Sequence, residues 1–148
     1  MQFLLHHGRS PISALIRWQT RSEYSHASVR INDRQIIEAV EGQGVIVSPL
    51  PSLELADRFE VNTSMEQALA VKQFLFAQAG KSYDWTMVIR FITRRQESRK
   101  STGRWFCSEL VFAAFLHAGV ALLARTEPWE VSPGLLAKSP LALGPLTA

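Results

Sequence analysis

Residues 24–40, YSHASVRINDRQIIEAV, are the segment of this chain that is most informative about its fold. Apolar and polar residues alternate from Tyr24 to Ile31, which is the pattern of a β-strand with one buried face. Asn32-Asp33 is typical of a turn, and Arg34 to Val40 is a second β-rich run. The stretch therefore predicts an antiparallel hairpin.

The length of the turn decides which side chains share a face of this hairpin. A two-residue turn would pair His26 with Ala39 and send Glu38 to the opposite face. A three-residue loop, residues 32–34, would pair Glu38 with Ser28 and place it diagonal to His26. We predict the second register, because it also buries the apolar residues together: Ala27, Val29, Ile31, Ile37 and Ala39.

The rest of the chain predicts further strands and several helices. Two strands are predicted over residues 45–47 and 58–61. A helix is predicted over residues 12–19, because Ser10-Pro11 is typical of a helix start. A second helix is predicted to begin at the Thr63–Glu66 capping-box spacing and to end at Ala79. Two further helices are predicted over residues 85–93 and 107–118. The proline-containing tail predicts no more than a short helical turn. This order is typical of an α+β fold, and 148 residues match one domain, residues 1–148.

The composition excludes several classes of protein. A hydrophobic fraction of 47% with 20% charged residues excludes a disordered chain. No apolar run reaches the roughly 18 residues of a membrane span, and residues 1–5 lack the basic region of a secretory signal. The net charge of +3 is concentrated in residues 90–104, where six basic residues stand against one acidic residue. Between Thr93 and Gly103 no aromatic residues are interleaved, so we interpret the segment as a solvated loop and expect no nucleic-acid partner.

Cys107 is the only cysteine of the chain. A single cysteine excludes an intramolecular disulfide and a multi-cysteine zinc site, and it indicates a reducing, cytoplasmic location. Cys107 lies where a loop becomes a helix, so its thiol faces unpaired backbone N–H groups and the positive end of the helix dipole, which favour the thiolate. Position alone favours the alternative, a small residue buried in the core.

His26 is the histidine that we expect to activate Cys107. It lies on the polar face of the first hairpin strand, and a cysteine at a helix N-terminus beside such a histidine can form a thiolate–imidazolium pair. Glu38 is the carboxylate that would accept a hydrogen bond from the ring and fix its tautomer. The alternative for Glu38 is a solvent-facing position on a half-exposed strand.

The other histidines are weaker candidates. His6 and His7 are adjacent and cannot face the same way on a strand, so they make a poor metal pair. His117 lies ten residues along the predicted helix, about 15 Å from Cys107 by helical rise, which is too far for a base. No phosphate-cradling glycine-rich loop is present. We expect no metal and no other cofactor.

Five segments carry a resemblance to a known family: Tyr24 to Val29, Ile37-Glu38-Ala39 followed by Gly44-Val45, Tyr83-Asp84, Phe106 to Val111, and Val131 to Leu136. Their order and spacing over residues 22–138 resemble the circularly permuted NlpC-type papain-like hydrolases of the YiiX-like group. In the unpermuted relatives the cysteine helix precedes the histidine strand. Here His26 precedes Cys107 by 81 residues.

The resemblance implies a fold and a set of site residues. It implies a circularly permuted, papain-like α+β core, in which a small antiparallel sheet packs with helices that include the nucleophile helix. Cys107 would be the nucleophile, His26 the base and Glu38 the orienting residue. Tyr83 would lie near the site and help to hold the substrate or the oxyanion. The further residues that we expect to bind substrate are Tyr24, Ser25 and Arg104.

These expectations predict thiol-dependent hydrolysis of an amide bond through a thioester, for example in a cell-wall peptide. One alternative is a lipid acyltransferase or thioesterase of the lecithin:retinol acyltransferase-like branch, because the basic segment would suit anionic headgroups. The other alternative is a non-catalytic ligand-binding module. The expected partner is a peptide or a small substrate with an acyl or amide group. The substrates that we expect include anionic ones.

Overall fold

The computed structural model describes residues 1–8, 10–86 and 103–146. In this part of the chain six strands form one antiparallel sheet in the order β4-β3-β2-β1-β5-β6. The strands are β1 (Gln2–His6), β2 (His26–Arg30), β3 (Gln35–Val40), β4 (Gly44–Pro49), β5 (Ala56–Val61) and β6 (Ala142–Leu143). The helices are α1 (Pro11–Thr20), α2 (Met65–Gln78), α3 (Cys107–His117), a 3-10 turn (Pro128–Glu130) and α4 (Pro133–Leu136). The fold is therefore α+β, as the sequence predicts.

Strand β1 lies in the middle of the sheet, between β2 and β5. The sequence pattern does not predict this strand, because its residues are buried on both faces and do not alternate. Phe3 and Leu5 point into the main core, whereas Leu4 packs on the opposite face with Ile36 and Ala56. A short run of apolar residues at the start of the chain thus becomes the central strand.

The β2–β3 hairpin has the register that the sequence predicts. Ser28 pairs with Glu38, and Val29 pairs with Ile37. The loop is shaped by Asn32, whose Oδ1 accepts a hydrogen bond from the Arg34 N–H at 2.8 Å, which is the Asx-turn geometry. The three-residue loop of the prediction is confirmed.

Helix α2 begins one residue later than the predicted capping box. The N-cap is Ser64, whose Oγ accepts from the Gln67 N–H at 3.1 Å, while Gln67 Oε1 accepts from the Ser64 N–H at 3.0 Å. The predicted Thr63–Glu66 box is therefore wrong. Thr63 lies one position before the cap, where its hydroxyl contacts the N-terminal ammonium of Met1 at 3.5 Å.

Helix α3 packs against α2 and against the β2–β3 side of the sheet. Its buried face carries Leu110, Val111, Ala114 and Phe115. The tail is held to this helix by a hydrogen bond of 2.6 Å from the Ser108 hydroxyl to the Val131 carbonyl. Beyond the short helix α4, the tail also supplies β6, which the sequence does not predict and which pairs with β5.

Two predictions fall largely outside the described residues. The helix predicted from Trp85 is described only as far as Thr86, and of the basic residues in segment 90–104 only Arg104 is described. Among the described helices, none is long and apolar enough to cross a membrane.

We predict that Phe3→Ala lowers the free energy of unfolding by about 3–5 kcal/mol, the usual cost of truncating a buried aromatic residue. Phe3 is 0% exposed, stacks on Phe59 at 5.2 Å between ring centroids, and meets the edge of Phe115 at 6.3 Å. Urea denaturation followed by circular dichroism measures the change. Met65→Ala is the control, because Met65 is 93% exposed and its truncation should change stability by no more than about 0.5 kcal/mol. Equal effects of the two substitutions would contradict the central position of β1.

Candidate active site

Cys107 is the first residue of α3 and is 1% exposed. The helix begins here because Phe106 is extended, with φ −89° and ψ 152°, and because Glu109 Oε2 accepts a hydrogen bond from the Phe106 N–H at 3.3 Å. The N–H of Cys107 belongs to the first turn, where helical N–H groups have no intrahelical acceptor. The thiol therefore lies against the positive end of a helix that packs on the sheet.

His26 links Cys107 to Glu38. Its Nε2 lies 2.7 Å from Glu38 Oε2, and its ring also forms a side-chain hydrogen bond with Cys107. The side chains of His26 and Glu38 are 21% and 13% exposed. The structure thus brings together the three residues that the sequence predicts as nucleophile, base and orienting group.

The charges of this cluster stabilise one another. Burial lowers the pKa of His26, but the negative charge and hydrogen bond of Cys107, together with Glu38, raise it to about 10. Burial also opposes ionisation of Glu38, yet the hydrogen bond and the charge of His26 hold the pKa of this carboxyl below its usual value. Raised basicity at His26 and raised acidity at Glu38 both favour an imidazolium paired with the Glu38 carboxylate.

His6 is a residue of this site that the sequence pattern does not predict. It ends β1 directly opposite His26, and the two rings meet edge to face at 4.9 Å between centroids. His6 Nε2 lies 2.8 Å from Ser28 Oγ. Burial and the neighbouring charge of His26 lower the pKa of His6 to about 3, so its ring is neutral. Only knowledge of β1 and its pairing could have placed this ring here.

His7 faces away from His6, as strand alternation requires. Its Nε2 lies 3.3 Å from Asp57 Oδ2. Tyr24 lies on the same side: its hydroxyl donates to Asp57 at 2.6 Å, and its ring packs on Phe59 in the core. The structure therefore does not bring Tyr24 to the Cys107 site, although the sequence argument assigns it to substrate binding.

Tyr83 is brought to the site by a short backbone connection. Its segment pairs with Trp105, just before Cys107, through the hydrogen bonds Trp105 N–H to Ser82 carbonyl at 3.0 Å and Asp84 N–H to Trp105 carbonyl at 2.9 Å. Burial and the negative charge of Cys107 raise the pKa of Tyr83. Its hydroxyl therefore stays protonated and remains a hydrogen-bond donor.

Gly44 allows the same segment to approach the sheet. The Lys81 carbonyl accepts a hydrogen bond from the Val45 N–H at 2.8 Å, and a Cβ on residue 44 would lie 2.3 Å from that carbonyl oxygen. Gly44 also has φ +80°, a conformation that favours glycine. A side chain at this position would push Tyr83 away from the site.

Two cavities meet at Tyr83. One, of about 320 Å³, is lined by His6, Gly8, Ser10, Ile12, Ser13, Ile16, Ser25, His26, Glu38, Val40, Glu41 and Tyr83. The other, of about 370 Å³, is lined by Gly42, Gln43, Gly44, Gly80, Ser82, Tyr83, Trp85 and Arg104. Cys107 is not among the residues that line either cavity, whereas His26 and Tyr83, whose pKa values its charge raises, both line the first.

Two predicted substrate-binding residues line these cavities. Ser25 lines the first, where its buried hydroxyl accepts a hydrogen bond from the Gly8 N–H at 3.0 Å and so shapes the wall. Arg104 is exposed and lines the second, close to Trp85. Its guanidinium gives that cavity a positive charge.

Comparison with known proteins shows a likeness in fold. No protein-family model matches the chain, and no curated protein matches it. The fold is similar to the crystal structure of metalloprotein YiiX from Escherichia coli O157:H7 (DUF1105), with a TM-score of 0.73 and 22% sequence identity. The similarity covers 96% of this chain and 93% of that chain. The chain therefore has a YiiX-like α+β fold.

Proposed function

We propose that this protein is a thiol-dependent hydrolase with the circularly permuted NlpC-type papain-like arrangement, in which Cys107 is the nucleophile. The observation that carries the proposal is the position of His26, whose ring contacts both the Cys107 thiol and the Glu38 carboxylate. A nucleophile in contact with a base that a third group orients is the arrangement that covalent acyl transfer needs. The likeness to YiiX supports the fold that the proposal requires.

The first half of the proposed reaction is acylation of Cys107. The thiolate attacks the carbonyl carbon of an amide, forming a C–S bond and a tetrahedral oxyanion. The N–H of Cys107 and the Tyr83 hydroxyl are the donors that stabilise this oxyanion. The imidazolium of His26 then gives its proton to the departing amine, and collapse of the intermediate leaves a thioester.

The second half of the reaction releases the acyl group. His26, now neutral, takes a proton from a water molecule, and the resulting hydroxide attacks the thioester carbonyl. The Cys107 thiolate leaves, and the imidazolium forms again. Glu38 holds the His26 ring in one orientation through both halves. An alcohol or amine in place of water would convert the same steps into acyl transfer.

The site also bears on the substrate class. Serine and glutamate side chains surround His26 in one cavity, whereas Arg104 and Trp85 lie in the other, on the far side of Tyr83. We propose a polar amide substrate whose anionic end is bound by Arg104. A cell-wall peptide has this chemistry, because it carries both amide bonds and free carboxylates.

We predict that Cys107 reacts with iodoacetamide almost as fast at pH 6 as at pH 8, because His26 remains an imidazolium over this range and keeps its partner anionic. In His26→Ala the rate should fall steeply below pH 8, as for an ordinary free cysteine with a pKa of about 8.5. Alkylation is measured by intact-protein mass spectrometry at each pH. Comparing the two pH values within each variant separates ionisation from access to the buried thiol.

His117→Ala is the matched control for alkylation, since His117 is an exposed histidine at the other end of α3. Its pH profile should follow that of the wild type. A wild-type profile that rises from pH 6 to pH 8 like that of a free thiol would contradict the proposed function.

We predict that Glu38→Gln lowers the hydrolysis rate by up to about 10⁴-fold, the loss that follows when the orienting carboxylate of a catalytic triad is replaced by an amide. The substitution keeps the shape of the side chain but removes the charge that orients His26. Products are measured by mass spectrometry after incubation with muropeptides and, in a parallel arm, with phospholipids. Glu54→Gln, which changes an exposed carboxylate far from the site in sequence, should leave the rate unchanged.

The same assay separates thiol chemistry from metal chemistry, a distinction that the likeness to a metalloprotein makes necessary. Excess EDTA should not lower the rate, whereas Cys107→Ala should abolish it. Products from phospholipids alone would indicate the lipid acyltransferase or thioesterase. A rate that EDTA abolishes and Cys107→Ala preserves would overturn the proposal.

A further inference from the structure

His6 has no role in the proposed reaction, yet it completes a cluster of ligand-type side chains. One ligand atom from each of His6, His26 and Glu38 lies within 4.8 Å of the other two. The three residues come from β1, β2 and β3, which are hydrogen-bonded neighbours in the sheet. Their backbone positions are therefore held by the hydrogen bonds between these neighbouring strands.

The chemistry of this cluster fits a transition metal. Two imidazoles and one carboxylate form a donor set of catalytic zinc sites, which keep a further position for water or another ligand. Donor atoms about 2.1 Å from a tetrahedral ion are separated by about 3.4 Å, so small side-chain rotations would bring the three atoms to that spacing. Mg²⁺ and Ca²⁺ prefer sites made entirely of oxygen ligands, and Glu38 is the one oxygen donor among these three residues.

The surroundings of the cluster also fit a metal site. All three residues line the cavity of about 320 Å³, which offers an ion a route to them. Ser28 Oγ contacts His6 Nε2 at 2.8 Å and restrains the ring, as hydrogen-bonding groups around metal-binding histidines commonly do.

We propose that His6, His26 and Glu38 bind one divalent transition-metal ion, with Zn²⁺ as the representative ion. This site does not depend on the proposed hydrolase function. It uses a side chain, His6, that the hydrolytic mechanism leaves idle.

Metal binding at this cluster has a consequence that does rest on the proposed function. His26 Nε2 and Glu38 Oε2 are 2.7 Å apart and share one hydrogen bond, so an ion bound to both atoms would replace the proton between them. A neutral imidazole with a metal on Nε2 carries its remaining proton on Nδ1 and has no lone pair left to accept a proton from Cys107. The metal-bound state and the active Cys107–His26–Glu38 state therefore exclude each other.

The proposal is tested by titrating ZnCl2 into the reduced, EDTA-stripped protein in an isothermal titration calorimeter. Wild type should bind one ion per chain, and His6→Gln should bind it at least about tenfold more weakly. Cys107→Ala should bind like wild type, because the thiol is not one of the ligands. His7→Gln is the matched control, since the adjacent histidine faces Asp57 instead of the cluster.

A second variant guards against loss of binding through misfolding. Glu38→Gln should weaken binding in the same way, and both variants should retain the circular dichroism spectrum of wild type. Absence of Zn²⁺ binding by the wild type, binding unchanged in both His6→Gln and Glu38→Gln, or binding lost in Cys107→Ala would each overturn the proposed site.

The coupling to Cys107 has a readout of its own. Saturating Zn²⁺ should slow iodoacetamide alkylation of wild-type Cys107 and have a much smaller effect on His6→Gln. Binding without slower alkylation would leave the metal site in place and overturn the mutual exclusion. If Cys107 of the metal-free protein is alkylated with the pH dependence of an ordinary free cysteine, the proposed hydrolase function is contradicted. The calorimetric titration would still test the metal site by itself.

Discussion

The hydrogen bond between His26 and Glu38 is the interaction on which the candidate site depends, and it exists only because of the register of the β2–β3 hairpin. Ser28 pairs with Glu38, which places Glu38 diagonal to His26 on one face. A slip of one residue would move Glu38 to the other face of the sheet. The imidazole would then lose the acceptor 2.7 Å away that orients it, and Cys107 would face an unrestrained ring.

The site also depends on charges compensating one another in a largely buried position. Cys107 is 1% exposed, and the apolar core continues around it through Phe106 and Leu110. A lone anion or cation in such a place is costly, and leaving one member of a buried pair unpaired costs about 3–5 kcal/mol. The imidazolium of His26 and the carboxylate of Glu38 reduce this cost together, because each raises the stability of the other's charged form.

The central strand β1 gives this site a second chemistry. Its residues Phe3 to Leu5 are buried on both faces of the sheet. The strand ends at His6, which pairs with His26 of β2. The proposed hydrolase uses the interactions of His26 with Cys107 and Glu38. His6 adds a neutral imidazole to the same group of side chains. One histidine, His26, is thus common to the proposed triad and to the proposed metal site, which is why the two states compete.

The parts of this protein that depend on local patterns are predictable from its amino-acid sequence. Alternation over residues 24–40 and the length of the Asn32–Arg34 loop predicted the hairpin and its register, and the change from loop to helix predicted Cys107 at a helix N-terminus. These features follow from neighbours along the chain, so they can be read without knowing the fold.

Which distant residues join these features depends on how the strands and helices pack in three dimensions. β1 has no alternation because both of its faces are buried, so neither the strand nor the position of His6 was predictable from its pattern. Tyr24 precedes His26 by two residues, so strand alternation predicts that the two side chains share a face, but the Tyr24 hydroxyl donates a hydrogen bond to Asp57 of β5. The pairing of strands that are distant in sequence sets these positions. The contacts that a side chain makes depend on which strands lie beside its own, and this is fixed only when the sheet assembles.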